Sequence, residues 1–155
     1  HKLVKDHIFI IGFMGAGKTT LAKELAEKKK IRCLDTDEEI ERLEGKSISS
    51  IFKEKGEYYF RTLETNLILS LSNTPHVISC GGGLPCYNDN ILKLKKIGKV
   101  VFLNTDVEII FSRLREDKSR PLLLGKSDAE LKNYIDETIQ SRSKYYLMAD
   151  KVWID

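Results

Sequence analysis

The sequence has little cysteine. Cys33, Cys80 and Cys86 are its 3 cysteines, and no two of them have the Cys-x-x-Cys spacing typical of a zinc knuckle. Three cysteines are also too few for a disulfide framework. We therefore expect a cytoplasmic protein in a reducing compartment, with Cys33 and Cys80 as small buried residues.

Excess charge and long apolar runs are also lacking. Lys and Arg number 26 against 23 Asp and Glu, so the formal net charge is only +3. A nucleic-acid-binding domain is usually far more basic, so we expect no nucleic-acid partner. The longest apolar stretch, residues 8–17, is too short to cross a bilayer and lacks the features of a signal peptide, so we expect no membrane partner.

Length and composition favour one globular domain. The chain has 155 residues, of which 41% are hydrophobic and 32% charged. These values exclude a disordered or collagen-like chain, and the length is that of one domain with a real core. We find no internal repeat, low-complexity tract or linker, and we expect a single domain over residues 1–155.

Short apolar runs alternate with helical patterns along the chain. The runs begin near residues 7, 31, 76, 99 and 151. This alternation predicts an α/β fold, with a parallel sheet covered by helices and right-handed crossovers. Helix N-terminal caps are predicted at Thr36, Asp106 and Ser127, the first and last as capping boxes.

Residues 12–19, Gly-Phe-Met-Gly-Ala-Gly-Lys-Thr, match the Gly-x-x-x-x-Gly-Lys-[Ser/Thr] pattern between a predicted strand and a predicted helix. In such a loop, glycines let backbone N–H groups point at phosphate oxygens, and the helix adds its positive N-terminal end. Lys18 can then reach the β- and γ-phosphates, and Thr19 can ligate Mg²⁺. The alternative, a glycine-rich turn with one exposed lysine, is disfavoured by the flanking elements. The motif predicts nucleoside triphosphate binding but not the acceptor.

Two acidic residues follow the second predicted strand. Asp35 and Asp37 are two apart on extended chain and share a face, so both can point into the crevice at the carboxyl edge of the sheet. One carboxylate can hold a water on Mg²⁺ while the other accepts the proton of an attacking hydroxyl. The alternative is that Asp37 only neutralises a helix start.

Arginines and a glycine run supply further candidates, each with a structural alternative. Arg61 and Glu64 are three apart on a predicted helix, either as a surface ion pair or as an arginine fixed to bind a carboxylate. The run Gly81 to Gly83 is either a flexible turn or a close backbone approach to a ligand. Basic residues before and inside residues 117–126 form a solvated loop or a mobile lid over ATP. Arg142, with Tyr146 four residues later, is by itself only a helical neighbour pair.

Taken in order, these motifs resemble the shikimate kinase family. The match includes Ile51-Phe52, Gly56-Glu57-x-x-Phe60-Arg61-x-x-Glu64, Arg120-Pro121-Leu122-Leu123 and Arg142-x-x-x-Tyr146-x-x-Ala149. The resemblance implies a three-layer α/β/α P-loop fold with a five-stranded parallel sheet in the order 2-3-1-4-5. It also implies substrate-binding helices over residues 36–71 and a lid over residues 116–126. The implied reaction transfers the ATP γ-phosphate to the 3-hydroxyl of shikimate, on the route to chorismate and the aromatic amino acids.

The resemblance also implies roles for individual residues. The implied shikimate ligands are Asp37, Arg61, Gly81, Gly82, Gly83 and Arg142. Asp37 is the implied base, assisted in catalysis by Lys18 and Arg120, and Thr19 and Asp35 are the implied Mg²⁺ site. The implied ATP-binding residues are Gly12, Gly15, Ala16, Gly17, Lys18, Thr19, Thr20, Arg113, which lies against the adenine, and Arg120.

Two features depart from the family pattern. Relatives usually continue past the fifth strand with an adenine-binding loop and a final helix, and we expect that part of the nucleotide site to be missing from this sequence. Tyr58 and Tyr59 are bulkier than the small residues expected in their block.

We expect a monomer with ATP and Mg²⁺ as the implied co-substrate and metal. Two alternatives remain. One is another small-molecule P-loop kinase, acting on gluconate or a nucleoside monophosphate. The other is a nucleotide-operated switch, although the Asn-Lys-x-Asp signature of guanine-specific switches is not found.

Overall fold

Five parallel strands form the centre of the molecule. A computed structural model of the chain describes residues 6–117 and 123–154. The strands are β1 (His7–Ile11), β2 (Arg32–Asp35), β3 (His76–Ser79), β4 (Gly98–Asn104) and β5 (Lys151–Ile154). They pair in parallel in the order β2-β3-β1-β4-β5, which confirms the predicted sheet.

Helices connect successive strands. They are α1 (Lys18–Lys29), α2 (Thr36–Glu44), α3 (Ile48–Lys55), α4 (Glu57–Ser70), α5 (Asn90–Ile97), α6 (Val107–Glu116) and α7 (Asp128–Tyr146). A short 3₁₀ helix at Leu84–Cys86 was not predicted. The other differences from the predicted elements are shifts of one or a few residues at the ends of helices and strands.

The hydrophobic core lies on both faces of the sheet. In β1, Ile10 packs with α1, α6 and α7, whereas Phe9 and Ile11 pack with α4 and α5. Successive strand residues point to opposite faces, so an unbroken apolar strand needs cover on both sides. The three-layer α/β/α architecture is therefore confirmed. A smaller cluster, which includes Ile51 and Phe60, holds α2, α3 and α4 together beside the sheet.

Two of the three predicted helix caps are confirmed. Asp106 accepts the backbone N–H of Glu108, and Ser127 forms a complete capping box with Glu130. The predicted cap at Thr36 is wrong: the Asp35 carboxylate accepts the backbone N–H of Glu38 at 3.1 Å, and Thr36 is already helical. The physical reason is that β2 runs directly into α2, so Asp35 keeps the extended backbone that an N-cap requires.

The two edge strands are more exposed than the centre. Cys33 in β2 is exposed, so its predicted burial is wrong, whereas Cys80 is buried as predicted. All four residues of β5 are exposed, including Trp153. Within the described ranges, no helix combines the length and apolar character needed to cross a membrane.

Candidate functional site

A cavity of about 650 Å³ opens at the carboxyl edge of the sheet, where β1, β2 and β3 end side by side. We call it the central cavity. Ligands of open α/β sheets bind at this edge. The cavity brings together most of the predicted site residues: Gly15, Gly17, Lys18, Thr19, Thr20, Asp35, Asp37, Arg61, Gly81, Gly82, Gly83 and Arg142. Gly12, Ala16 and Arg113 do not line it.

The loop between β1 and α1 has a backbone that requires glycine. Gly12, Gly15 and Gly17 have φ values of 150°, 78° and 99°, a region that other residues rarely adopt. A Cβ atom on Gly12 would also lie 2.8 Å from the carbonyl oxygen of Leu103. Ala16 is fully buried and its N–H donates to the carbonyl of Phe13, so it closes the loop. The loop therefore leads directly into the positive N-terminal end of α1.

Two cationic side chains lie against this loop. Lys18 Nζ donates to the carbonyl oxygens of Gly12 at 2.8 Å and Phe13 at 3.0 Å. Arg113 reaches over from α6, and its Nη1 donates to the carbonyl oxygen of Gly15 at 2.9 Å. Arg113 and Trp153 line a second cavity of about 470 Å³, which we call the side cavity. The two cavities share Gly15, Gly17 and Thr20, so they meet at the loop.

Three side-chain oxygens cluster beside Lys18. Thr19 Oγ1 donates to Asp35 Oδ2 at 3.1 Å and lies 3.5 Å from Ser79 Oγ. Ser79 was not predicted, although its position at the end of β3 before the glycine run would have been a usable signal. Among the described residues, no group of three or more His, Cys, Asp or Glu side chains can hold a metal. A few hard oxygen ligands beside a phosphate loop fit Mg²⁺, which usually relies on phosphates and waters for the rest of its shell.

The close surroundings of residues 81–83, after β3, leave no room for a side chain. A Cβ atom on Gly81 would lie 2.7 Å from Asp37 Oδ1, and one on Gly82 would lie 2.9 Å from Arg142 Nη1. A Cβ atom on Gly83 would lie 2.7 Å from Arg61 Nη1. The run is therefore a close approach between backbone and charged side chains. It passes a carboxylate first and then two guanidinium groups, which gives the central cavity an acidic end and a basic end.

Arg61 is held on several sides. Its Nη1 donates to Glu64 Oε1 at 2.8 Å, and its Nη2 lies 3.2 Å from Glu57 Oε2. The guanidinium carbon lies 4.2 Å from the centre of the Tyr87 ring, and Tyr87 Oη donates to Glu57. Burial lowers the pKa of Arg61, but Glu64, Tyr87 and Glu57 together outweigh burial and hold that pKa above its ordinary value. Because Glu64 is 0% exposed, this pair is not the surface ion pair that the sequence left open.

Glu64 carries one oxygen without a partner. Burial raises the pKa of its carboxyl to about 7, against the opposing effect of Arg61 and with a further contribution from Asp37. Its Oε2 is buried and has no hydrogen-bond partner among the described residues. That atom lies 3.1 Å from where a Gly81 Cβ would be, at the wall of the central cavity. An unpaired buried carboxyl oxygen at a cavity wall is suited to form a hydrogen bond with a ligand or a water.

Two hydroxyl groups form hydrogen bonds with the backbone of the glycine run. Thr36 Oγ1 accepts the N–H of Gly81 at 2.9 Å, and Tyr146 Oη donates to the carbonyl of Gly82 at 2.7 Å. Arg142 Nη1 lies 3.5 Å from Tyr146 Oη. Sequence reasoning missed both contacts, because Thr36 was assigned to a helix cap and Tyr146 to a neighbour pair.

Comparison with known proteins identifies the family. The shikimate kinase family profile matches residues 14–155. The chain belongs to the shikimate kinase family. The shikimate kinase of Persephonella marina is 45% identical over 145 residues, which cover 93% of this chain and 85% of that protein.

Solved shikimate kinases also share the fold. The crystal structure of the Bacteroides thetaiotaomicron enzyme has a TM-score of 0.91 and 40% identity, with 96% of this chain and 86% of that chain covered. The Acinetobacter baumannii shikimate kinase, solved in complex with shikimate, has a TM-score of 0.87 and 36% identity, with 97% and 84% covered. Residues 118–122 of the expected lid lie outside the described residues. They include Arg120, which the family pattern implicates in ATP binding and catalysis.

Proposed function

We propose that the protein transfers the γ-phosphate of ATP to the 3-hydroxyl of shikimate and releases ADP and 3-phosphoshikimate. The observation that carries this proposal is the polarity of the central cavity along the glycine run. Asp37 and Glu64 flank Gly81, whereas Arg142 flanks Gly82 and Arg61 flanks Gly83. Shikimate has the same polarity, with hydroxyl groups on one side of a small ring and a carboxylate on the other. Membership of the shikimate kinase family supports the same reaction.

The carboxylate binds at the basic end. Arg61 and Arg142 present guanidinium groups that suit forked hydrogen bonds to a carboxylate. Arg61 is already held by Glu57 and Glu64, so little side-chain freedom remains to be lost when the anion binds. The stacking of Arg61 on Tyr87 adds to this constraint.

The hydroxyl groups bind at the acidic end. Asp37 accepts the proton of the 3-hydroxyl as that oxygen forms its bond to the γ-phosphorus. The bond between this phosphorus and the bridging oxygen of ADP breaks at the same time. The unpaired Oε2 of Glu64 forms a hydrogen bond with a hydroxyl of the substrate or with an intervening water.

ATP binds along the loop of residues 12–19. The backbone of this loop and the N-terminal end of α1 contact the phosphates, with Lys18 and Arg120 neutralising their charge. Arg113 lies against the adenine in the side cavity. Thr19 and Asp35 would hold Mg²⁺, which neutralises charge on the β- and γ-phosphates when bound. Phosphoryl transfer of this kind depends mainly on positioning and charge neutralisation.

A coupled ADP-release assay tests the proposal. Shikimate, gluconate and nucleoside monophosphates are compared as acceptors at equal ATP and Mg²⁺ concentrations, with the amide of shikimate as a matched acceptor that lacks the carboxylate. We expect turnover with shikimate and little with the amide, because Arg61 and Arg142 would lose their anionic partner. Faster turnover with gluconate or a nucleoside monophosphate would overturn the proposal. A preference for GTP without acceptor-dependent turnover would instead support a switch.

A further inference from the structure

The hydrogen bonds of the glycine run divide its backbone groups into two sets. The N–H of Gly81 is bonded to Thr36, and the carbonyl of Gly82 is bonded to Tyr146. The carbonyls of Gly81 and Gly83 accept the N–H groups of Leu84 and Cys86. Within residues 6–117 and 123–154, no acceptor is found for the N–H groups of Gly82 and Gly83, both of which line the central cavity. These two donors remain for a ligand.

Thr36 occupies one backbone donor, the N–H of Gly81, at the acidic end of the cavity. Its side chain is only 3% exposed, and its hydroxyl accepts the Gly81 N–H across 45 positions of sequence. This bond joins the start of α2 to the end of β3, next to the Asp37 carboxylate that faces Gly81. The peptide between Cys80 and Gly81 is thereby fixed relative to Asp37.

Tyr146 forms the second side-chain hydrogen bond to the run. Its side chain is 1% exposed, and its ring stacks on Phe102 with centroids 5.0 Å apart. Burial raises the pKa of the Tyr146 hydroxyl to about 12, so the group stays protonated and donates to Gly82 at neutral pH. Arg142 Nη1 lies 3.5 Å from the same hydroxyl, so one tyrosine contacts both a guanidinium group and the peptide between Gly82 and Gly83.

We propose that Thr36 and Tyr146 are positioning residues that clamp the Gly81–Gly83 backbone between them, so that the N–H groups of Gly82 and Gly83 are presented to the acceptor between Arg142 and Arg61. The clamp deepens the proposed function and rests on it for the identity of the acceptor. Neither residue contacts the phosphate loop through these bonds. Loss of either hydroxyl should therefore weaken binding of the acceptor and leave binding of ATP unchanged.

Substitutions at Thr36 test the hydrogen bond of its hydroxyl separately from the packing of its side chain. Thr36→Val keeps the shape and removes the acceptor, whereas Thr36→Ser keeps the acceptor. We expect Thr36→Val to raise the dissociation constant for shikimate on the order of tenfold, because a small misplacement of binding groups is costly. Thr36→Ser should stay within about twofold of the wild type, since the hydroxyl is retained. Calorimetric titration with shikimate and, separately, with ATP–Mg²⁺ measures both affinities.

Tyr146→Phe tests the hydrogen bond from Tyr146 to Gly82. Tyr145→Phe, at the adjacent tyrosine on α7, is its control. We expect Tyr146→Phe to weaken shikimate binding by a similar factor and Tyr145→Phe to leave it unchanged. Equal shikimate affinity in Tyr146→Phe and the wild type would overturn the role of Tyr146. An equal loss of shikimate and ATP affinity in either Thr36→Val or Tyr146→Phe would overturn the clamp, because a general structural role would affect both.

Amide hydrogen exchange of the ligand-free protein gives a readout that does not depend on the substrate. We expect slow exchange at Gly81 and fast exchange at Gly82 and Gly83, with Gly81 accelerated on the order of tenfold or more in Thr36→Val but not in Thr36→Ser. The same Gly81 rate in all three proteins would overturn the role of Thr36. A wild type that fails to bind shikimate would contradict the proposed function, and the Gly81 rates would still decide whether the clamp exists.

Discussion

The phosphate loop and the acceptor end of the central cavity are organised in opposite ways. In the loop, Lys18 and Arg113 donate to carbonyl oxygens of the loop itself, and Thr19 donates to Asp35. At the acceptor end, Arg61 is bonded to two glutamates and the glycine run is bonded to Thr36 and Tyr146.

The two regions therefore differ in how their binding groups are held before a ligand arrives. The groups that we propose to bind phosphate are engaged in contacts with the loop and its neighbours, so in this proposal the binding of ATP and Mg²⁺ would displace some of these contacts. At the acceptor end, Arg61 likewise donates from all three guanidinium nitrogens to Glu57 and Glu64. The bonds of Thr36 and Tyr146 to the glycine run differ, because within the described residues they leave the N–H groups of Gly82 and Gly83 without an acceptor. A rigid acceptor end and an adaptable phosphate end suit a reaction in which the acceptor must be positioned accurately against a larger, charged co-substrate.

The largest expected effect comes from Asp37→Asn, at the boundary of the two regions. Removing the proposed base should lower kcat by about 10²- to 10⁴-fold and leave ATP affinity near the wild-type value. Steady-state kinetics and calorimetric titration with ATP–Mg²⁺ measure the two quantities. Glu38→Gln, an exposed neighbour on α2, is the control and should be close to wild type. Equal losses in rate and ATP affinity would point to a structural role for Asp37.

Lys18→Ala should remove charge neutralisation from the phosphate end alone. We expect kcat to fall by about 10²- to 10³-fold, with shikimate affinity and thermal stability largely retained. Lys23→Ala, on the exposed side of the same helix, provides the comparison. Substantial turnover in Lys18→Ala would contradict the phosphate role, and a large loss of shikimate affinity would show that the two regions are not separate.

Arg142→Ala should affect only the acceptor end. A lost charge-assisted hydrogen bond predicts shikimate affinity weaker by about 1.5–3 kcal/mol, or about 10- to 150-fold. Calorimetric titration with shikimate measures this change, and Lys144→Ala, exposed on the same helix, controls for the loss of a positive charge. Unchanged affinity in Arg142→Ala would remove this residue from the site.

Glu64→Gln tests how the acceptor end depends on pH. Burial raises the pKa of Glu64 from 4.5 to about 7, so between these values the folded protein keeps a proton that the unfolded chain releases. The free energy of unfolding should therefore fall as pH rises through this window, by up to about 3 kcal/mol from this group. Urea denaturation across the window should show that contribution in the wild type but not in Glu64→Gln. The exposed Glu54→Gln should behave like the wild type, and parallel curves for wild type and Glu64→Gln would contradict the shifted pKa.

The phosphate end could be predicted from sequence much better than the acceptor end. The loop of residues 12–19 is contiguous, and its glycine spacing follows directly from the backbone conformation it adopts. The alternation of elements predicted a parallel sheet, and the family resemblance implied the order of its strands.

The acceptor end depends on contacts between distant positions. Thr36 and Gly81 are 45 residues apart, and Tyr146 and Gly82 are 64 apart. Thr36 also fits a local capping pattern, so its sequence context indicated the wrong partner. Tyr87 illustrates the same limit, because its stacking on Arg61 depends on how the chain after β3 returns towards α4, and no spacing encodes that path.

The position of Trp153 allows its fluorescence to report on binding in the side cavity. It is the only tryptophan in the sequence, it lines the side cavity with Arg113, and its side chain is 37% exposed. Indole fluorescence responds to stacking and to changes in solvent contact. An adenine ring that enters the side cavity would therefore change the tryptophan emission, and no added label would be needed. Stopped-flow mixing could then time the arrival of the nucleotide separately from that of the acceptor.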